Sequence, residues 1–287
     1  MIISGTTFVI TGGSDGIGLE CASQLAAAKP GCRLVLVGRS PDKTAAAVAR
    51  IRDEQPGCRV DSLLCDLGDL DAVRRLAGDL LAACERIDVL LNNAGTVFAR
   101  RTLTADGIEA TFAVNHLGGF LLTELLHDRL VASAPARVVF TSSVAHYGAT
   151  LDLDDLRFAH GYSIMKAYGR SKLANVLCAR ELARRFEGTG VTVNALHPGV
   201  IASHIWNGAP WFARPVLAVM KRLTMDSPAT GGSRLAYLAA SPEVEGLTGG
   251  FYQQNRLREP SDQARDDQLA RRLYDVSARL VGLDATA

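Results

Sequence analysis

The sequence predicts a doubly wound α/β fold built on a mostly parallel sheet. Short apolar runs rich in β-branched residues alternate with longer Ala- and Leu-rich segments of helical period, so strand and helix follow one another along the chain. The runs are continuously apolar, as expected of strands buried on both faces. A glycine-rich turn follows the first run and opens the first helix. Parallel strands joined by right-handed helical crossovers satisfy all three observations.

TTFVI (6–10) is the first strand, with TGGSDGIG (11–18) after it and a helix over 17–28. RLVLV (33–37), CRVDSLL (58–64), IDVLL (87–91), ARVVFT (136–141), VTVNAL (191–196) and GGFY (249–252) supply the remaining strands. Two segments resist the pattern, 144–167 and 201–227. The tail SDQARDDQLARRLYDVSARL places Leu269, Leu273, Val276 and Leu280 at helical spacing, so an amphipathic packing helix is expected over about 261–281. No linker, repeat or low-complexity tract interrupts the chain, and one domain over 1–287 is expected.

With 287 residues and 48% hydrophobic content the chain can bury a substantial core. Lys and Arg total 31 against 30 Asp and Glu, a balance that points away from nucleic acid and acidic membranes and toward a small ligand. Six cysteines (Cys21, Cys32, Cys58, Cys65, Cys84, Cys178) lie in apolar segments without Cys-x-x-Cys spacing, which reads as buried free thiols in a reducing compartment. The stretch MIISGTTFVITGG has no basic run or long apolar tract, so neither a signal peptide nor a transmembrane anchor is expected, and the protein reads as cytoplasmic. The six histidines show no metal-ligand spacing, and no metal is expected.

In such sheets ligands bind beyond the carboxyl ends of the strands. After the first strand, Gly12, Ser14, Gly16, Ile17 and Gly18 form a turn that lets a pyrophosphate approach a helix N-terminus, where free amides and the dipole stabilise negative charge. The second strand ends at Gly38-Arg39, a guanidinium where an NAD site would offer a carboxylate to the ribose; a cation suits a 2'-phosphate, which favours NADP over NAD. Asp66-Leu67 ends the third strand, where Asp66 can accept from an adenine amino group or cap the helix beginning near Asp69. The fourth runs into the polar turn NNAG, which contributes Asn93, Ala94 and Gly95.

TGGSDGIG, NNAG, Ser143 and Tyr168-x-x-x-Lys172, in this order and spacing, resemble the short-chain dehydrogenases/reductases of the single-domain Rossmann type over about residues 5–252. The glycine spacing differs from the Thr-Gly-x-x-Gly-x-x-Gly of the extended epimerase and dehydratase branch. NHLGGFLLTELL (115–126), SSVAH (142–146), SKLANVL (171–177) and His197-Pro198-Gly199 are most similar to retinol dehydrogenase-like and protochlorophyllide reductase-like members. Many of those carry an N-terminal membrane anchor, whereas this chain begins directly at the first strand. The resemblance implies hydride transfer between a nicotinamide and a carbonyl or alcohol. It also implies that Asn115 helps hold a water relay to the lysine, and that the turn after the sixth strand presents Val200 or Ile201 to the carboxamide with Ser203 close by.

The chemistry can be tested on the residues themselves. A free tyrosine, with a pKa of about 10, is a poor proton shuttle at neutral pH. A lysine ammonium about 4 Å away contributes about 4 kcal/mol at an effective dielectric of ~20, about a thousandfold in acid strength. Ser143 would bond the substrate oxygen; Ser142 is its rival, since adjacent strand residues face opposite ways and only one can point into the site, and the resemblance implies Ser143. The pattern Tyr-x-x-x-Lys occurs twice, as Tyr162 with Lys166 and Tyr168 with Lys172. Gly161 and Ser163 read as a helix start with Ser163 as N-cap, which leaves Tyr162 outside the helix and Tyr168 inside it. Tyr168 is therefore taken as the acid/base and Tyr162 as a pocket wall.

The resemblance implies that the segment 201–227 is a small, variable substrate lid. Its Trp206, Trp211 and Phe212 suit the wall of an apolar pocket for a hydrophobic substrate; the same residues would also complete the core or a subunit contact, or more weakly meet a membrane interface. Reduction of an activated carbon-carbon double bond, or a non-catalytic domain that senses NADPH or scaffolds a partner, are the alternatives. Oligomeric state stays open: the helix after Tyr168 is apolar on more than one face, and the insertion before it could cover the extra face in a monomer, whereas an uncovered face would suit a homo-oligomer.

Overall fold

A computed structural model describes residues 5–200 and 226–283 of the chain. Ile201, Ser203, Trp206, Trp211 and Phe212, with nearly all of the expected lid, lie outside the described residues.

Eight strands form one sheet: β1 (Thr7–Thr11), β2 (Arg33–Gly38), β3 (Arg59–Leu64), β4 (Val89–Asn92), β5 (Ala136–Thr141), β6 (Val191–His197), β7 (Phe251–Gln253) and β8 (Arg256–Arg258). Their order is β3-β2-β1-β4-β5-β6-β7-β8, parallel except for the last pair. The seven apolar runs of the sequence are the seven parallel strands, displaced by no more than two residues at any end. The eighth was not legible, because Arg-Leu-Arg is too short and too charged to read as a strand. It forms because Gln254 and Asn255 take positive φ (53° and 59°) and close a two-residue hairpin. Charged residues also suit an edge strand, which they protect from further pairing.

The helices are α1 (Gly16–Ala28), α2 (Pro41–Glu54), α3 (Leu70–Ala83), α4 (Ala110–Phe112), α5 (Gly118–Leu125), α6 (His127–Ala132), α7 (Ile164–Arg185), α8 (Pro228–Ala240), α9 (Asp262–Arg265) and α10 (Asp267–Leu280). Alternation along each strand divides the core into two layers. Phe8 and Ile10 of β1 pack with Leu25 of α1, Ile51 of α2 and Leu235 of α8. Val9 faces the other layer, with Val73 of α3, Phe120 of α5, Leu173 of α7 and Leu273 of α10. Each fully buried Leu, Ile or Phe contributes about 1.5–3 kcal/mol.

The predicted C-terminal helix is broken: α9 ends and Asp266 caps α10, accepting from Gln268 N and Leu269 N at 2.9 Å. A carboxylate at that point competes with continued helix because it satisfies the free amides of a new start. α10 lies on α7, where Asp267 receives Arg180 at 3.1 Å and Arg184 at 2.9 Å. The second apolar face of α7 is thus covered within the chain by α10, in addition to the insertion before α7. All six cysteines are buried and free. Two that are 26 positions apart in sequence meet at the amino ends of β2 and β3, Cys32 Sγ lying 3.2 Å from Cys58 Sγ. No helix among the described residues is long and apolar enough to cross a membrane.

Candidate active site

The glycines after β1 are required by close approach. Gly12 has φ +66°, and a Cβ there would lie 2.9 Å from Ala94 Cα; a Cβ on Gly18 would lie 2.2 Å from Gly12 O. Gly16, with φ +52°, has open space where its Cβ would be, so the turn keeps a free floor at the start of α1. Asp15 caps that helix, accepting from Gly16 N at 2.8 Å and pairing with Lys43 of α2 at 2.7 Å. The Asp15–Lys43 pair was missed in the sequence, since nothing local marks two exposed charges 28 positions apart as neighbours.

The next two strand ends flank this floor. A Cβ on Gly38 would meet Thr44 Oγ1 at 2.3 Å and Ser14 Oγ at 2.8 Å, so both hydroxyls would have to turn away. Arg39 beyond it is exposed and forms no ion pair among the described residues. Asp66 is exposed and Leu67 buried at the end of β3. Asp66 does not cap α3, one of the two roles open to it: Asp69 does, accepting from Ala72 N at 3.0 Å, while Asp66 accepts from Gly68 N at 2.9 Å. The nearer carboxylate has the extended backbone that an N-cap requires.

β4 is joined to β1 at this edge by Thr11, whose Oγ accepts from Asn93 N (2.9 Å) and Ala94 N (3.1 Å). Asn93 donates back to Thr11 O at 3.1 Å and accepts from Thr141 Oγ1 at 3.3 Å, which fixes the ends of β1, β4 and β5 together. Gly95 follows; a Cβ there would stand 3.3 Å from Lys172 Nζ and 3.5 Å from Asn115 Oδ1. The NNAG turn therefore lies directly against the lysine.

β5 delivers Ser142 and Ser143 with opposite orientations, as alternation requires. Ser142 Oγ donates to Lys172 O at 2.7 Å and so ties β5 to α7. Ser143 starts the short 3-10 turn Val144–His146, its Oγ accepting from Ala145 N at 3.2 Å, and it also hydrogen-bonds Tyr168. α7 begins after Ser163, whose Oγ accepts from Lys166 N at 3.2 Å. Tyr168 and Lys172 stand one turn apart inside it, with Lys172 Nζ 5.5 Å from the Tyr168 ring centroid. Lys172 is 2% exposed, and its Nζ donates to Thr141 O at 3.0 Å.

Burial sets the protonation here. It lowers Lys172 to about 8 and raises the Tyr168 hydroxyl above its ordinary value, a rise opposed by the bond to Ser143. Burial therefore works against the gain in tyrosine acidity expected from a lysine about 4 Å away. The ammonium donates to the Thr141 carbonyl at 3.0 Å and stands 5.5 Å from the centroid of the Tyr168 ring.

Asn115 lies in a π-helical turn, Ala113–Leu117, between α4 and α5. Its Oδ1 accepts from Thr96 N (2.7 Å), and its Nδ2 donates to Thr96 O (3.0 Å) and Ser171 Oγ (3.0 Å). One amide proton holds the turn after Gly95 and the other ties Asn115 to α7 through Ser171. The Asn115 carbonyl accepts from Asn175 Nδ2 at 3.0 Å.

Tyr162 precedes the N-cap and donates to Phe98 O at 2.7 Å. After β6, the Pro198-Gly199 turn is clamped by Arg234, which donates to Pro198 O at 2.9 Å and pairs with Asp226 at 2.5 Å. Asp226 N donates to Val200 O at 2.9 Å, leaving the Val200 side chain exposed beside this edge. A groove of about 1090 Å³ opens at the opposite, amino-terminal edge of the sheet, near Thr6, Asp88, Ala136 and Val191, away from all of these groups. Among the described residues no cluster of His, Cys, Asp and Glu could hold a metal.

The residues present fit a dinucleotide: an open glycine floor at a helix N-terminus, an unpaired Arg39 at the next strand end, and a buried lysine with no carboxylate beside it. A parallel sheet carrying these features, with tyrosine and lysine stacked on the helix beside β5, defines an NAD(P)-linked oxidoreductase. The chain belongs to the short-chain dehydrogenases, whose family model matches residues 6–210. It is 40% identical to retinol dehydrogenase 13 of Homo sapiens over 99% of this chain and 86% of that protein. Among solved structures it is similar to an uncharacterized protein from Mycobacterium paratuberculosis, with TM-score 0.77, 32% identity, and 96% and 93% of the two chains covered. It is also similar to RhlG of Pseudomonas aeruginosa, solved as an NADP active-site complex, with TM-score 0.70, 27% identity and coverage of 87% and 94%.

Proposed function

We propose that this chain uses NADP(H) to interconvert the carbonyl and alcohol of a hydrophobic small molecule. The observation that carries the reading is the meeting of Ser143, Tyr168 and Lys172 where β5 and α7 adjoin the NNAG turn. NADP over NAD is supported by exposed Arg39 at the end of β2, with Lys43 in the first turn of α2. A hydrophobic substrate is supported by exposed Tyr147, Ile164, Met165 and Val200 in the segments that carry the site, and by a relative named for retinol.

In this reading the bound nicotinamide supplies or accepts the hydride. Tyr168 gives its proton to the substrate oxygen in reduction and recovers it in oxidation. Ser143 hydrogen-bonds the same oxygen and holds it beside Tyr168. With its pKa at about 8, Lys172 is still mostly protonated at pH 7. Its positive charge opposes the burial that raises the tyrosine.

The test is oxidation of NADPH, against NADH, by the purified full chain with all-trans-retinal and a panel of hydrophobic ketones and aldehydes. Turnover with NADPH is expected. Cofactor binding without turnover across the panel overturns the catalytic reading, and equal use of NADH overturns the role given to Arg39.

A further inference from the structure

Asn175 lies on α7 three residues beyond Lys172, on the same side of the helix, and is 1% exposed. Its Nδ2 donates to two carbonyls, Thr141 O and Asn115 O, each at 3.0 Å. Since both partners only accept, the orientation of the amide is fixed and Oδ1 faces His116 Nδ1 at 3.2 Å. His116 is fully buried, and burial lowers its pKa to about 4, so it is neutral at pH 7. Nδ1 must then carry the ring proton, and Nε2 accepts from Ser277 Oγ of α10 at 3.1 Å. The Asn115 carbonyl is available for this bond because it lies in the π turn, whose backbone bonding is displaced from the α-helical register.

The Thr141 carbonyl is the shared point. It accepts from Asn175 Nδ2 and from Lys172 Nζ, both at 3.0 Å, which fills its two lone pairs. The chain of bonds runs from Lys172 through Thr141 and Asn175 to the Asn115 turn, and on through His116 to the C-terminal helix.

We propose that Asn175 is a positioning residue of the proton-transfer end of this site, fixing where the Lys172 ammonium and the Asn115 turn stand, with His116 and Ser277 as its anchor. The proposal rests on the oxidoreductase reading for its catalytic consequence, though the placement of Lys172 does not depend on turnover. Two N–H donors on one oxygen bring the positive end of the Asn175 amide toward the ammonium, which disfavours the charged lysine further. The titratable groups around Lys172 are Tyr168 on its own helix and His116, by way of Asn175, from the π turn. β5 brings the Thr141 carbonyl to the ammonium and the NNAG turn brings Gly95, and no carboxylate acts on the lysine among the described residues. Removing the amide donor moves Lys172 deprotonation to higher pH.

The experiment compares Asn175→Asp, which is nearly isosteric, Asn175→Ser, and Ser277→Ala as a control that keeps the amide. Lysine-15N NMR follows the titration of the Lys172 ammonium in the free protein, and NADPH-dependent reduction of all-trans-retinal supplies kcat, KM and the pH profile. Both Asn175 variants are expected to titrate at least about half a pH unit above wild type. They should lose about tenfold in kcat, with KM for NADPH little changed and the alkaline limb of the rate profile displaced in the same direction. Ser277→Ala should lower the melting temperature and leave the Lys172 titration in place. A Lys172 titration that coincides with wild type in a folded Asn175 variant overturns the proposal. The same holds if Ser277→Ala moves that titration as far as the Asn175 variants do. If wild type turns over nothing while the titration still moves, the oxidoreductase reading fails and the positioning role stands.

Discussion

Tyr162 with Lys166 and Tyr168 with Lys172 have the same residue types at the same spacing, six positions apart, and the fold gives them opposite surroundings. Tyr168 and Lys172 stand one turn apart within α7, against Ser143 and the Thr141 carbonyl, and the lysine is almost wholly withdrawn from water. Tyr162 lies before the helix, its hydroxyl bonded to Phe98 O, and Lys166 is exposed. The difference teaches that the motif acts through desolvation and orientation rather than spacing. A cap at Ser163 separates the two pairs, because it decides which tyrosine has helical neighbours.

The sharpest way to break the comparison is Tyr168→Phe. Removing the proton donor while keeping the ring should lower kcat/KM by about 10²–10⁴-fold. NADPH binding, followed by fluorescence, should persist. A variant with substantial turnover would mean that the proton comes from elsewhere.

Lys172→Met gives the second largest effect, and it separates activity from stability. The lysine pKa falls from 10.5 to about 8 on folding. Between those values the unfolded chain binds the extra proton, so stability from this group rises as pH increases from about 8 toward 10.5, and the cost is fully present below pH 8. That cost is roughly 3 kcal/mol. Lys172→Met should therefore lose activity yet melt at a higher temperature than wild type at pH 7, with the difference shrinking between pH 8 and pH 10. A lower melting temperature at pH 7 would mean that the lysine is a net stabiliser. Lys166→Met, on the exposed copy, should change stability by no more than about 0.5 kcal/mol.

These contrasts indicate how much was legible beforehand. The parallel strands were readable because each is a continuous apolar run, and the glycine turn because close approach admits no other residue at Gly12 and Gly18. Ser163 supplied a local signal for the start of α7. Asn175 supplied none: its partners Asn115 and Thr141 lie 60 and 34 positions away, and an asparagine in a helix looks the same whether it meets water or two carbonyls. The π turn at Asn115 was hidden for a related reason: residues 110–123 are buried on nearly every side, so there is no exposed face whose phase the extra residue could shift. Direct reasoning from charge also overstated the effect of Lys172 on Tyr168, because it omitted the burial that raises the tyrosine.

The cofactor edge offers a third, smaller test. Arg39→Ala removes an exposed cation with no ion pair among the described residues, so little stability should be lost, within about 0.5 kcal/mol. KM for NADPH should rise about tenfold, equivalent to about 1.4 kcal/mol of binding, while KM for NADH stays put. Equal increases for both cofactors would move Arg39 away from the 2'-phosphate. The comparison sharpens here too, since Tyr168→Phe should affect kcat and Arg39→Ala should affect KM.

The smallest effect belongs to the second tyrosine. The Tyr162 ring meets Phe158 edge-on at 5.5 Å, and Phe158 in turn lies under the Arg170 guanidinium at 3.9 Å. With its hydroxyl on Phe98 O, Tyr162 acts as a strut between the insertion before α7 and the loop after β4. Tyr162→Phe keeps the ring contact and removes one hydrogen bond, which should cost about 1 kcal/mol of stability. Because that loop borders the NNAG turn, the kinetic effect should appear in KM for the carbonyl substrate, with kcat within about twofold of wild type. Steady-state kinetics on the two Tyr→Phe variants side by side decides the matter. If Tyr162→Phe loses as much kcat as Tyr168→Phe, then helix position and burial do not separate the pairs, and both tyrosines would have to reach the reacting oxygen.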